Sequence, residues 1–238
     1  MDIHKPKAVA NLKEFLAEVG IIVLGVLIAL GSEQAVEAMH WAHKLERAEL
    51  PLNGEIHDLY VTSAERVAAE GCLSRGLDRL EARILAAKAT WAPSSARAAT
   101  PPEPYHTPYR IWGDSVWRSI EAEGLGSHLS PKTRLGLSFV YNEAAHAREE
   151  NALEWREAAR FSILNRPVPV DPTTRAQLLA LIQTERQENK LLTIMARQML
   201  DRVEADRLLE PLPTKAEVQA ELARDSGALK WCGSAGLG

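Results

Sequence analysis

With 238 residues the chain has room for one or two domains, and a net charge of −4 with a pI near 6.0 excludes an electrostatic nucleic-acid binder. Aromatics at only 5%, with Ala, Leu, Glu and Arg abundant, favour helices, so the predicted fold class is all-α. No nucleotide-binding loop, HExxH, GxSxG or Cys–His nucleophile arrangement occurs, which argues against an enzyme and implies no cofactor.

Residues 1–11 read as a short polar tail, too small for a domain. Residues 12–32 follow as a transmembrane helix. From Phe15 to Ser32 the only charge is Glu18, and Val19 to Leu30 is apolar or Gly throughout. At about 1.5 Å per residue this stretch reaches roughly 27 Å, enough for a thin bilayer core. Lys5, Lys7 and Lys13 precede it, while Glu33 and Glu37 follow. The positive-inside rule then places the N-terminus in the cytoplasm and the bulk of the chain in the periplasm or its equivalent. The competing reading is a signal peptide cleaved after Ala29-Leu-Gly31. Glu18 and a helical pattern that continues past the cut speak against it.

Inside the span, Glu18, Ile22, Gly25, Ala29 and Ser32 fall on one seam with a period of 3.5, continued by Val36, Met39 and His43. Gly25-x-x-x-Ala29 is a small-xxx-small pair that allows close helix approach, so the expected partners are the lipid bilayer and a membrane helix of the same or another protein. Glu18 is read as snorkelling, protonated or paired, with a role in an ion-coupled assembly as the minority reading. Trp41 is expected at the headgroup level. His40 and His43 share a face but lack a third ligand, so no metal is expected.

Residues 33–232 are expected to form an extramembrane antiparallel helical bundle. Pro51 and Asn53-Gly54 suggest a break. A second helical stretch, 55–89, carries Ile56, Leu59, Tyr60, Val67, Leu73, Leu77, Leu80 and Ile84. Residues 90–112 form a Pro-rich loop. Its aromatics are expected to strap it across the bundle, with Tyr105, Tyr109 and Trp112, together with His146, as the alternative binding residues. Asp114 is the expected cap of a short helix burying Trp117 and Ile120. Ser130-Pro131 opens a helix to about 164, anchored by Leu135, Phe139, Leu153, Phe161 and Leu164, with Asn142, His146 and Glu150 on a partly solvated face. Asp171-Pro172 opens another, 172–209, through Leu178, Leu181, Ile182, Leu192, Met195, Met199 and Val203, its stripe broken by Glu185 and Glu188. Thr214-x-x-Glu217 is a capping box for a last helix that buries Val218 and Leu222. Residues 233–238 read as a flexible tail.

Cys72 and Cys232 are the only cysteines. In an oxidising compartment they can form one disulfide; the alternative is two separate thiols.

Glu18, Gly25-Val-Leu-Ile-Ala-Leu30 and Gln34 resemble the anchor of a family of uncharacterised bacterial inner-membrane proteins. The block Trp117…Gly124-Leu-Gly-Ser-His-Leu-Ser-Pro131, followed by Tyr141, is similar to a second segment of that family. The likeness covers about a third of the chain, implies the topology and lends no activity. The leading functional expectation is a membrane-tethered, non-enzymatic interaction or scaffold protein of the envelope. The alternatives are an accessory subunit of an ion-driven or transport complex, and a helical-bundle ligand sensor.

Overall fold

A computed structural model describes residues 12–93 and 105–225. The chain divides into two compact units, Met1–Ala48 and Glu49–Gly238. The second of these begins at Glu49. The all-α class holds: among the described residues there are five α-helices and two 3₁₀ turns, and the only strands there are the two-residue pair β1 (Thr90–Trp91) and β2 (Val168–Pro169), joined antiparallel.

Helix α1 spans Leu12–Ala86 with Pro51 inside it. The expected break at Pro51 and Asn53-Gly54 is absent. Pro51 removes one backbone donor, but Leu52, Ile56 and Leu59 immediately after it are buried, and that packing outweighs a single lost hydrogen bond.

In the first unit, the α1 residues from Phe15 to Leu30 expose their side chains: Ile21 is 72%, Ile22 66% and Ile28 63% exposed. Among the described residues this is the one helix long and apolar enough to cross a membrane.

In the second unit, α1 from Glu49 onward, α3 (Pro131–Ala158) and α4 (Pro172–Asp206) form the bundle. Tyr60 bonds Glu204, Arg186 bonds Glu81 and Arg175 bonds the carbonyl of Ile84, so α4 runs antiparallel to α1. Gly136 near the start of α3 lies against Asp206 and Leu208, at and just past the far end of α4, so α3 is antiparallel to α4 as well. It follows that α1 and α3 are parallel. The crossover that joins them is described over residues 87–93 and 105–130. Trp91, Tyr105 and Trp112 of this crossover are buried, while Tyr109 is exposed and packs on Trp155 with ring centroids 5.8 Å apart. The aromatics strap the crossover onto the bundle as expected.

Within the crossover, α2 (Ser115–Ala122) buries Trp117 and Ile120. Asp114 is its N-cap residue, but the carboxylate makes no capping hydrogen bond and pairs with Arg118 and Arg148 instead. Glu55 of α1 accepts from the backbone N–H of Val116 (3.0 Å) and Trp117 (3.1 Å). An ionised carboxylate at a helix N-terminus also complements the helix dipole. Gly124, at φ 74, allows the turn that leads into the next 3₁₀ segment.

Helix α3 starts as expected, with Ser130 Oγ accepting from Thr133 N. It ends at Ala158 and passes into a 3₁₀ turn, Ala159–Asn165, rather than continuing to 164. Phe161 and Leu164 are buried, but Leu135, Phe139 and Leu153 are 64%, 36% and 39% exposed. The buried face is Leu137, Val140, Tyr141, Ala144, Ala147, Asn151, Glu154 and Ala158. Small and polar residues share it with Leu137, Val140 and Tyr141, while Leu135, Phe139 and Leu153 lie to its sides.

Asp171 Oδ1 accepts from Thr174 N at 2.7 Å to open α4. The helix ends at Asp206, with Arg207 left-handed at φ 52 and Leu208 N–H returning to Val203 O, a Schellman-type ending short of the expected 209. Leu178, Leu181, Ile182, Leu192, Met199 and Val203 are buried, and Met195 is partly so. Thr214 and Glu217 exchange side-chain-to-backbone bonds at 2.7 and 3.2 Å, the predicted capping box of α5 (Lys215–Asp225).

Candidate functional site

On α1 the buried positions follow Ile56, Leu59, Ser63, Arg66, Ala69, Leu73, Leu77, Leu80 and Ile84 at three- and four-residue steps. Arg66 is therefore on the core stripe. So are Asn151 and Glu154 of α3, and Glu185 and Asn189 of α4. The three helices bring these polar side chains to one level of the core.

Arg66 donates through Nη1 and Nη2 to both oxygens of Glu154, at 2.8 and 2.6 Å, and through Nη2 to Asn189 Oδ1 at 2.9 Å. The planar fork matches the carboxylate, the geometry that makes Arg the usual choice for a buried pair. Asn151 Nδ2 donates to Glu154 Oε2 (3.2 Å) and to Pro108 O (2.8 Å), and its Oδ1 accepts from Arg110 N (2.8 Å). Arg110 in turn donates to both oxygens of the buried Glu65. The core network thus fastens the crossover at residues 108–110. Asn189 closes the other side through Ser74 Oγ at 3.1 Å and Glu70 O at 3.3 Å.

Glu185 does not break the α4 stripe; it is fully buried within it. Neither of its oxygens has a hydrogen-bond partner among the described residues, and the same holds for Arg66 Nε and the Tyr105 hydroxyl. Burial, reinforced by Glu154, Glu188 and Glu157 and opposed by Arg66, pushes its carboxyl up to about 9. Glu185 is accordingly neutral at pH 7. Burial and a hydrogen bond with Glu150 raise Glu188 to about 7.

Helix α5 packs on α1 through Val218 and Leu222 against Val61. Leu222 lines two grooves. One, of about 280 Å³, is rimmed by Asp58, Glu65, Glu221 and Arg110. The other, of about 450 Å³, lies over Ala64, Val67 and Ala68.

The residues singled out from the sequence fall in different places. Glu18, Ile22, Gly25, Ala29 and Ser32 are all exposed, and a Cβ at Gly25 would meet nothing within 4 Å. The Ser32 hydroxyl lies 2.7 Å from Ile28 O, bonding its own helix. His43 Nδ1 bonds Met39 O at 2.9 Å, and no group of three or more metal-ligating side chains occurs among the described residues. Tyr105 and Trp112 are interior, Tyr109 and His146 are at the surface, and they form no common site. Asn142 and His146 are exposed, as expected of a solvated face. Cys72 lies on α1, whereas Cys232 lies outside the described residues and the pairing with it. The 233–238 tail and the 1–11 tail also lie outside them.

The sequence reading missed Glu65, Arg66, Asn151, Glu154 and Asn189. The signal that finds Arg66 is register: alternating steps of three and four residues along α1 from Leu59 to Leu73 pass through it. No family model, curated protein or solved structure matches this chain.

Proposed function

We propose that this protein is a membrane-tethered, non-enzymatic interaction or scaffold protein of the bacterial envelope, with the N-terminus cytoplasmic and the helical body in the periplasm. The observation that carries this reading is the run Phe15–Leu30, whose large apolar side chains are about 40–70% exposed along a whole helix face and its opposite, a surface that water disfavours and lipid accepts. The body supports a binding role rather than a chemical one, since its charged core is tied into the packing and fastens a crossover. Gly25 and Ala29 supply the seam for a neighbouring helix, and the Cys72–Cys232 disulfide ties the C-terminal end to α1. Kinship with the uncharacterised inner-membrane family belongs to the same proposal, on the Glu18 and Gly25–Leu30 motif.

The test is a pair of fusions. A periplasm-active reporter placed after Gly238 is active and the same reporter at residue 9 is silent; the opposite pattern overturns the orientation. Native-level purification in detergent then recovers envelope proteins at fixed stoichiometry. Recovery of a single ion-translocating complex instead would move the assignment to an accessory subunit. Intact mass after alkylation without reductant shows no added label if the disulfide is present.

A further inference from the structure

The 450 Å³ groove beside α5 has the size of a small-molecule site. Its floor is a row on α1, Tyr60, Ala64 and Ala68, spaced by four residues so that successive side chains line up along the helix. Two of the three are Ala, which keeps the floor open. Leu200 of α4 and Val218 and Leu222 of α5 complete an apolar wall.

Two cations stand in the same wall: Arg197 of α4 and Lys215 of α5. Both are exposed, and neither has an ion pair among the described residues. This contrasts with Arg66, Arg110 and Arg186, each matched to a carboxylate. Among the described residues, the acidic side chain hydrogen-bonded to a lining residue is Glu204, already engaged by the Tyr60 hydroxyl at 2.7 Å. The groove therefore offers apolar surface and unpaired positive charge together. For the backbone of a peptide it offers one side-chain amide, Gln219.

We infer that this groove binds a single-chain fatty carboxylate, its acyl chain along Ala64, Ala68, Leu200 and Leu222 and its head group held by Arg197 and Lys215. Carboxylate and guanidinium or ammonium form strong charge-assisted hydrogen bonds, and the chain would cover apolar surface that is otherwise wet. The inference concerns the helical body alone and does not rest on the scaffold role or on the topology.

The experiment uses the full chain in non-ionic detergent and a diazirine-bearing stearate as photoprobe, with labelled peptides mapped by mass spectrometry. Labelling is expected within residues 60–68 and 200–222, displaced by oleate and not by oleyl alcohol. The double variant Arg197→Ala, Lys215→Ala should lower it about tenfold, the factor that loss of a charged hydrogen bond represents. Both positions are exposed, so the variant keeps the fold, and an unchanged circular-dichroism melt verifies this. Ala68→Trp, which fills the floor and leaves both charges, should lower it as well. Labelling confined to Phe15–Ser32, labelling indifferent to the double variant, or equal displacement by oleyl alcohol would each overturn the inference. Displacement by an acidic amphipathic peptide at lower concentration than oleate would also overturn it, assigning the groove to a protein partner.

Discussion

The two units of this protein place their polar and apolar groups in opposite ways. From Phe15 to Leu30 the apolar side chains are outside, while between α1, α3 and α4 a bidentate ion pair and two amides are inside. Each arrangement is costly in the wrong surroundings: exposed Ile and Leu in water, or an unmatched charge in a core. The first unit relies on its solvent. The second relies on pairing, with the Arg66 Nη donors set against Glu154 and Asn189, and Asn151 against Glu154, at a single level. An apolar surface tolerates most single changes, whereas a matched network does not.

The largest effect should come from unbalancing the network. Arg66→Met leaves Glu154 buried without its partner and should cost about 3–5 kcal/mol in urea unfolding. Adding Glu154→Leu should recover most of that loss, because removing both charges also removes their desolvation. If the double variant is no more stable than the single one, the network acts through something other than charge matching.

The converse test puts a charge into the apolar surface. Leu24→Asp should cost about 2.5–3.5 kcal/mol of insertion and shift the protein out of the membrane fraction. Leu24→Ile should leave the distribution unchanged. Equal fractionation of both would remove the bilayer as the solvent of this helix.

Glu185 provides a third test, by pH. Its carboxyl is raised in the folded protein to about 9, so between about pH 4.5 and 9 the folded state keeps a proton that the unfolded state has lost. Its contribution to stability is fully present below the unfolded value and falls as pH rises, by at most about 1.4 kcal/mol per unit. Glu185→Gln removes this slope. Thermal melts of the two proteins should converge near pH 5 and separate by pH 8, with the Gln variant the more stable. Parallel curves would mean that Glu154, Glu157, Glu188 and Arg66 do not act on this site as described.

Packing at Gly136 predicts a smaller loss. A Cβ there would approach Asp206 Oδ2 to 2.7 Å and Leu208 Cδ2 to 3.0 Å. Gly136→Ala should destabilise by about 1–3 kcal/mol despite the better helix propensity of Ala. Ser130→Ala, which removes only the α3 cap, should cost about 1 kcal/mol.

Local chemistry was readable from the chain. Ser130-Pro131, Asp171-Pro172 and Thr214-x-x-Glu217 each specify a helix start through neighbours three residues apart, and each is where it was expected. The exposed Phe15–Leu30 run was legible because its length and lack of charge are themselves the signal. What failed was set by distant partners. Asp114 satisfies the sequence preference for a cap, yet Glu55, some sixty positions earlier, takes the amides. Pro51 signals a break that burial of Leu52 and Ile56 overrides. Leu135, Phe139 and Leu153 were chosen for hydrophobicity, but the face of α3 that packs is the one carrying Leu137, Ala144, Ala147 and Asn151. Arg66 and Glu185 were passed over because charge is a strong cue for surface, and the information that each has a place inside lies on other helices.

The substitution of Glu55 for a local cap has a consequence for the order in which the body assembles. Eight residues are too few for a helix to persist alone in water. α2 has that length, and its first-turn amides close only on a carboxylate of α1. It therefore forms when α1 arrives and not before. Hydrogen exchange at Val116 and Trp117 becomes a clock for that encounter: in pulse-labelled refolding these amides gain protection together with the contact to Glu55, later than those of Thr133 or Thr174, whose acceptors sit three residues away on the same segment.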